Sequence, residues 1–174
     1  MVDTVLVAYA TTSGATQEIA EVIAQSLRDG GFSVALERAA RVRSLEGYRA
    51  IVLGAPPYVF RLHRDAKRFL SRHRRQLGER PVAIFAGGPF GSDTTGDAWD
   101  KVRAHLDREL ARFSWFTPVT IEVVGGRFDP ARLRFPFSWL PGLRQMPASD
   151  LRDWAAIRSW ADGLPARLEL GAAR

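Results

Sequence analysis

Four short apolar runs, each cut off by glycine, proline or threonine, restrict how this chain can fold more than any other feature of its sequence. Thr4 to Tyr9 reads TVLVAY, Ala50 to Leu53 reads AIVL, Pro81 to Ala86 reads PVAIFA and Val119 to Val124 reads VTIEVV. Nearly unbroken apolar runs of this length suit strands buried on both faces. A fifth segment, Phe32 to Leu36, alternates as a strand does. Between the strands lie stretches of helical spacing. Ala15 to Arg28 places Ile19, Val22, Ile23 and Leu27 on one face and stops at Gly30-Gly31. Arg64 to Leu77, Asp97 to Phe113 and Asp150 to Leu168 complete the set. Strand and helix alternate five times, which predicts an α/β fold: a parallel sheet with helices on both faces. Right-handed crossovers leave few topologies, and 2-1-3-4-5 is the usual strand order for five such units. Ligands in these sheets sit beyond the carboxyl ends of the strands, here the loops after strands one, three and four.

Composition narrows the function. The 174 residues fit a single domain, 1–174, and 46% of them are hydrophobic, enough for a core. The absence of cysteine excludes disulfides, thiolate metal sites and cysteine nucleophiles. No His/Asp/Glu set has metal spacing, so no metal is expected. No basic region precedes the first apolar run, and no apolar stretch approaches the roughly 20 residues of a membrane span. The expected location is cytoplasmic, with at most a peripheral contact at the inner face of the membrane. The net charge is +6, and residues 61–80 hold eight basic side chains against Asp65 and Glu79, a net +6 by themselves. This segment is either a solvated helix face or a patch for an acidic partner. Phe69 is its one Phe, Tyr or Trp, too few for a series of interleaved aromatics, so no nucleic-acid partner is expected.

The loop after the first strand is Ala10-Thr11-Thr12-Ser13-Gly14-Ala15-Thr16. It runs from a buried strand straight into a helix, whose free N–H groups and dipole favour an anion. The hydroxyls of Thr11, Thr12, Ser13 and Thr16 add donors, and Gly14 allows close approach or positive φ. No lysine or arginine lies in the loop. Neutral donors suit a phosphate monoester better than a triphosphate, which would call for the P-loop lysine. The other reading of the same residues is a hydroxyl-rich helix cap without a ligand.

The string Tyr9 to Ala20, YATTSGATQEIA, resembles the flavodoxin signature, in which T/S-x-T/S-G-x-T follows the first strand. Further features are similar to the menaquinone-dependent protoporphyrinogen oxidase branch of that family. They are the run Val52-Leu53-Gly54-Ala55, His63, Gly125-Gly126, Asp153-Trp154 and an insert at 127–148 before the last helix. The resemblance implies a flavodoxin-like three-layer sandwich that binds FMN without a covalent bond. It further implies an oxidoreductase with a quinone as electron acceptor. Ordinary flavodoxins are acidic, whereas this chain is basic, and the loop after strand three carries Pro56-Pro57 where a glycine is usual.

An isoalloxazine ring needs flat faces to stack on. The expected cofactor residues are Thr11, Thr12, Ser13, Gly14, Ala15 and Thr16 at the phosphate, Pro57, Tyr58 and Phe60 in the second loop, and Gly87, Gly88, Pro89, Phe90 and Gly91 in the third. His63 and Arg61 are weak catalytic candidates, a histidine in the position of His63 more often capping the next helix. His73 and His105 are expected to be surface residues of helices. The insert, RFDPARLRFPFSWLPGLRQMP and the alanine after it, mixes aromatics with arginines. Its four prolines forbid one long helix. It is expected either to fold back over the core or to meet a membrane, a quinone or a partner protein.

Three functions follow. The first is an FMN oxidoreductase acting on an acidic small-molecule substrate, which by resemblance is a porphyrinogen. The second is an electron carrier docking on a redox partner protein through its basic patch. The third is a flavin-free interaction protein on the same fold.

Overall fold

The computed structural model describes residues 4–58, 61–89 and 95–171. Its centre is β1 (Thr4–Tyr9), whose successive side chains point to opposite faces. Leu6 and Ala8 are fully buried on one side, and Val5 and Val7 on the other. Only a strand covered twice can hold such a run. β1 pairs in parallel with β2 (Ser33–Arg38) and β3 (Ala50–Gly54). β4 (Val82–Ala86) and β5 (Thr120–Val123) follow, also parallel. The five-stranded order is β2-β1-β3-β4-β5, as the alternation predicts. Helices α1 (Ala15–Asp29), α5 (Trp154–Asp162) and α6 (Leu164–Arg167) cover the Val5 face. Helices α2 (Arg64–Arg72), α3 (Arg74–Leu77) and α4 (Gly96–Leu110) cover the Leu6 face. No helix of the described residues is long and apolar enough to cross a membrane.

Several expectations need correcting. β2 runs on to Arg38 because its backbone keeps pairing with β1, Glu37 opposite Ala8 and Arg38 opposite Tyr9. The basic helix breaks at His73, which is 3% exposed and not a surface residue. Its ring packs against Phe69, and its Nε2 lies 3.3 Å from the Val42 carbonyl oxygen, tying the β2–β3 connection to the helix. α4 ends at Leu110, short of the expected Phe113. The last helix opens at Trp154 rather than Asp150, where the Asp153 carboxylate accepts from the Ala156 N–H. Residues 149–150 instead pair antiparallel with 127–128, closing the insert at its base.

The basic segment is partly consumed internally. Lys67 reaches the buried Glu109 at 3.0 Å, and that carboxylate also accepts from the Leu62 N–H. Burial raises the Glu109 pKa, but the Leu62 and Lys67 hydrogen bonds more than offset it and hold the group ionised below the usual range. Arg80 donates to the Tyr48 and Gln76 carbonyls. Arg61, Arg64, Arg68, Arg72, Arg74 and Arg75 remain exposed.

Candidate cofactor site

The β1–α1 loop takes its shape from two close approaches. Gly54, ending β3, has room for no side chain: a Cβ there would stand 2.6 Å from the Phe85 ring and 2.9 Å from the Thr16 methyl. The first turn of α1 is thereby seated on the sheet edge, with Thr16 buried beneath it. Gly14 precedes α1 at φ 89°, a conformation glycine adopts without strain. Its N–H donates to Thr11 Oγ1 at 2.9 Å, which fixes the loop internally. No side chain caps α1. Its first-turn N–H groups face the opening that an anion would fill.

His63 governs a second element of this loop. The Asp65 backbone N–H donates to His63 Nδ1 at 3.1 Å, so that nitrogen carries no proton. The neutral ring is then protonated at Nε2 and donates to Thr12 Oγ1, also 3.1 Å away. The Thr12 hydroxyl, having accepted there, is left with its own proton to offer into the cavity. Desolvation lowers the His63 pKa, with Arg64 adding to it and Asp65 opposing it. The neutral state therefore belongs to the fold. Because the folded pKa lies below the unfolded one, the stability His63 contributes is complete above about pH 6.5 and is lost as pH falls through the folded pKa. Exchanging His63 for Asn keeps a cap but no titration. The melting-temperature difference between wild type and His63→Asn is expected to be constant above neutrality and to change below pH 6.5. A difference independent of pH down to pH 5 would refute the assignment.

The insert builds the third wall. Arg127 donates to both Glu18 carboxylate oxygens at 2.7 and 2.9 Å. Arg152, 4% exposed, reaches Glu18 at 2.7 Å and grips Asp150 through Nε and a terminal nitrogen at 2.8 and 2.6 Å. Burial raises the Glu18 pKa, but the Arg152 and Arg127 hydrogen bonds outweigh it and keep the group ionised. These links clasp the base of the insert to the first turn of α1. Beyond the clasp, Arg132 donates to the Ser13 carbonyl at 3.2 Å. The loop was expected to offer neutral donors alone. Arg132 supplies a cation beside it from 119 residues away.

These parts enclose a cavity of about 520 Å³ at the carboxyl ends of the strands. Its lining includes Thr11, Thr12, Ser13, Ala15 and Thr16 from the first loop, Pro57 and His63 from the second, and Gly87, Gly88 and Pro89 from the third. Gly14 is not part of the lining and contributes through its positive φ, which turns the loop into α1. Arg61 is exposed and outside the lining, so the structure does not bring it to the site. The Tyr58 side chain, Phe60, Phe90 and Gly91 lie outside the described residues. Sequence reasoning missed Lys101 and His105 on α4, and Phe128, Leu133, Phe137 and Leu143 on the insert, all of which line the cavity. His105 thus faces inward, contrary to expectation. The i, i+4 spacing of Lys101 and His105 was the available signal; the insert offered no periodicity to read.

Residues 6–136 match the model of the flavodoxin domain. The chain belongs to the flavodoxin-domain family. Solved structures share its fold. Flavodoxin 1 of Bacillus cereus superposes with a TM-score of 0.58 at 17% identity, over 96% of this chain and 97% of that one. The Flv1 flavodiiron core of Synechocystis superposes with a TM-score of 0.58 at 16% identity, over 97% of this chain and 36% of that one. Rubredoxin oxygen:oxidoreductase of Desulfovibrio gigas gives 0.56 at 18% identity, over 95% and 36%. The flavodoxin domain thus spans about a third of the length of the latter two proteins. The comparison with curated protein sequences returns no match.

FMN is the cofactor of this flavodoxin domain, and the residues present fit it. The cavity volume lies within the ~300–1,000 Å³ usual for such sites. An uncapped helix start with converging hydroxyls and a guanidinium suits a phosphate dianion. The glycines at 87–88 leave backbone free to approach a flat ring.

Proposed function

We propose that this flavodoxin domain is an FMN-dependent oxidoreductase acting on a small acidic substrate, in the manner of the protoporphyrinogen oxidase branch, with a quinone as acceptor. The observation that carries the reading is the insert. It roofs the cofactor site with apolar side chains, and its Arg134 lies on the cavity lining together with Lys101 of α4. A carrier that meets its partners by collision needs no such roof; an enzyme that must hold a small molecule and keep water out does. FMN, when bound, supplies a ring that takes electrons from one molecule and yields them to another. The chain's own residues do the rest. The first loop and Arg132 hold the phosphate, and His63 orients the Thr12 hydroxyl. Phe128, Leu133, Phe137 and Leu143 exclude water. Lys101 and Arg134 are placed to pair with carboxylates, for which charged hydrogen bonds are the strong choice.

A second reading, electron transfer to a redox partner protein, draws support from the exposed arginines of α2 and α3. The two separate in one experiment. Protein loaded with FMN is expected to show flavin absorption that survives gel filtration. It is also expected to oxidise a porphyrinogen anaerobically when a soluble naphthoquinone is supplied. Salt-sensitive electron exchange with an acidic redox protein, and no porphyrinogen turnover, would overturn the enzyme reading in favour of the carrier. Protein that stays colourless with added FMN would overturn both and leave the flavin-free interaction protein.

A further inference from the structure

The insert has a second face that the cavity does not use. Leu133, Phe137 and Leu143 turn toward the cavity, while Phe135, Trp139, Leu140 and Met146 turn outward, 74%, 79%, 50% and 39% exposed. Among the described residues the only other large hydrophobic side chain so exposed is Val119. Phe135 and Trp139 stand edge to face with centroids 5.8 Å apart, one apolar tip rather than scattered residues. Arg144, exposed and outside the cavity lining, lies between Leu140 and Met146 in the chain, and no Asp or Glu occurs between residues 130 and 148.

We propose that this tip docks the protein on an anionic lipid surface. Two features favour lipid over a protein partner. The four side chains present on the order of a few hundred Å². That is below the ~800 Å² per side of a stable protein interface. Lipid makes no demand for a large matched surface, since burial of a few aromatics to about 5–10 Å depth holds an interfacial segment. Trp and Phe are suited to that depth, and Arg144 beside them adds attraction to anionic headgroups that neutral ones do not offer. The clasp of Glu18 with Arg127 and Arg152 holds the base of the insert, so the tip is presented from a fixed support.

The test is co-sedimentation of the FMN-loaded protein with vesicles of phosphatidylcholine alone or mixed with phosphatidylglycerol. Binding is expected only to the mixed vesicles. Phe135→Ser with Trp139→Ser is expected to abolish it, with FMN content unchanged as the measure of intact folding. Arg144→Gln is expected to weaken it about fivefold, the effect of one basic residue near an anionic surface. A protein that stays in the supernatant with the mixed vesicles at low salt overturns the proposal. So does equal binding to neutral vesicles, or a double variant that sediments like wild type. None of these outcomes depends on the substrate or acceptor proposed above.

Discussion

Replacing Arg132 with glutamine is expected to weaken FMN binding about tenfold while leaving riboflavin binding unchanged, because riboflavin lacks the phosphate with which the guanidinium would pair. Three observations single out this residue. Its terminal nitrogen bonds the Ser13 carbonyl and lies 3.7 Å from where a Gly14 Cβ would be, against the outer side of the phosphate loop. Its nearer carboxylate, Asp129, is 3.4 Å from Nε, which leaves the second terminal nitrogen for an anion in the cavity that Arg132 lines. Arg127 is closer to the clasp but is already neutralised by Glu18. The expected loss is held to tenfold because the Arg132 side chain is 52% exposed, and water screens part of its charge. Titrating the apoprotein with FMN and riboflavin, at low and at high salt, gives the answer. Equal losses for both ligands would mean that Arg132 merely supports the loop. An unchanged FMN affinity would mean that the neutral donors suffice.

That cation also marks where the sequence stopped being legible. The central strands could be read because burial on both faces leaves no polar residue in them, and a continuous apolar run has few alternatives. Gly14 was legible for a similar reason, being a glycine at the junction of β1 and α1. The β2 extension was not, because Glu37 and Arg38 are held by backbone pairing that leaves no hydrophobic pattern. His73 misled because a buried histidine occupies an apolar slot beside Phe69 while counting as polar in any pattern. The insert was the least readable part. Four prolines erase periodicity, and two short 3₁₀ turns and one α-turn leave no repeat by which to tell Phe137, which faces the cavity, from Trp139, which faces out. Contacts such as Arg132 to Ser13, across 119 positions, have no local signature at all. Only the topology, which returns the insert to the edge where the phosphate loop lies, brings them together.

Gly125→Ala is expected to be the most damaging exchange at any described glycine, costing about 3 kcal/mol through overpacking and left-handed strain together. At this position three backbone segments cross without a side chain between them. Gly125 holds φ 68°, and a Cβ on it would run into the Leu151 carbonyl oxygen, with the Leu151 carbonyl carbon at 2.7 Å and Arg152 Cα at 3.1 Å. These are main-chain atoms, which cannot rotate aside as a side chain would. The neighbouring Gly126 carbonyl accepts from the Leu151 N–H at 2.9 Å, and the Gly126 N–H donates to the Pro89 carbonyl at 3.0 Å. Any retreat of residues 151–152 would strain the grip of Arg152 on Glu18 and Asp150. The third loop, the clasp and the roof of the cavity would shift together. A loss of this size lowers the melting temperature by roughly 6–12 °C in a domain of this length. FMN should leave the variant on gel filtration, because Arg132 would move with the insert. Gly142→Ala is the control, since a Cβ at that exposed position meets nothing within 4 Å, and it should melt with wild type. If Gly125→Ala also melts with wild type and keeps its FMN, the insert is not held to the sheet by this crossing. The roof over the cofactor would then be an independent flap.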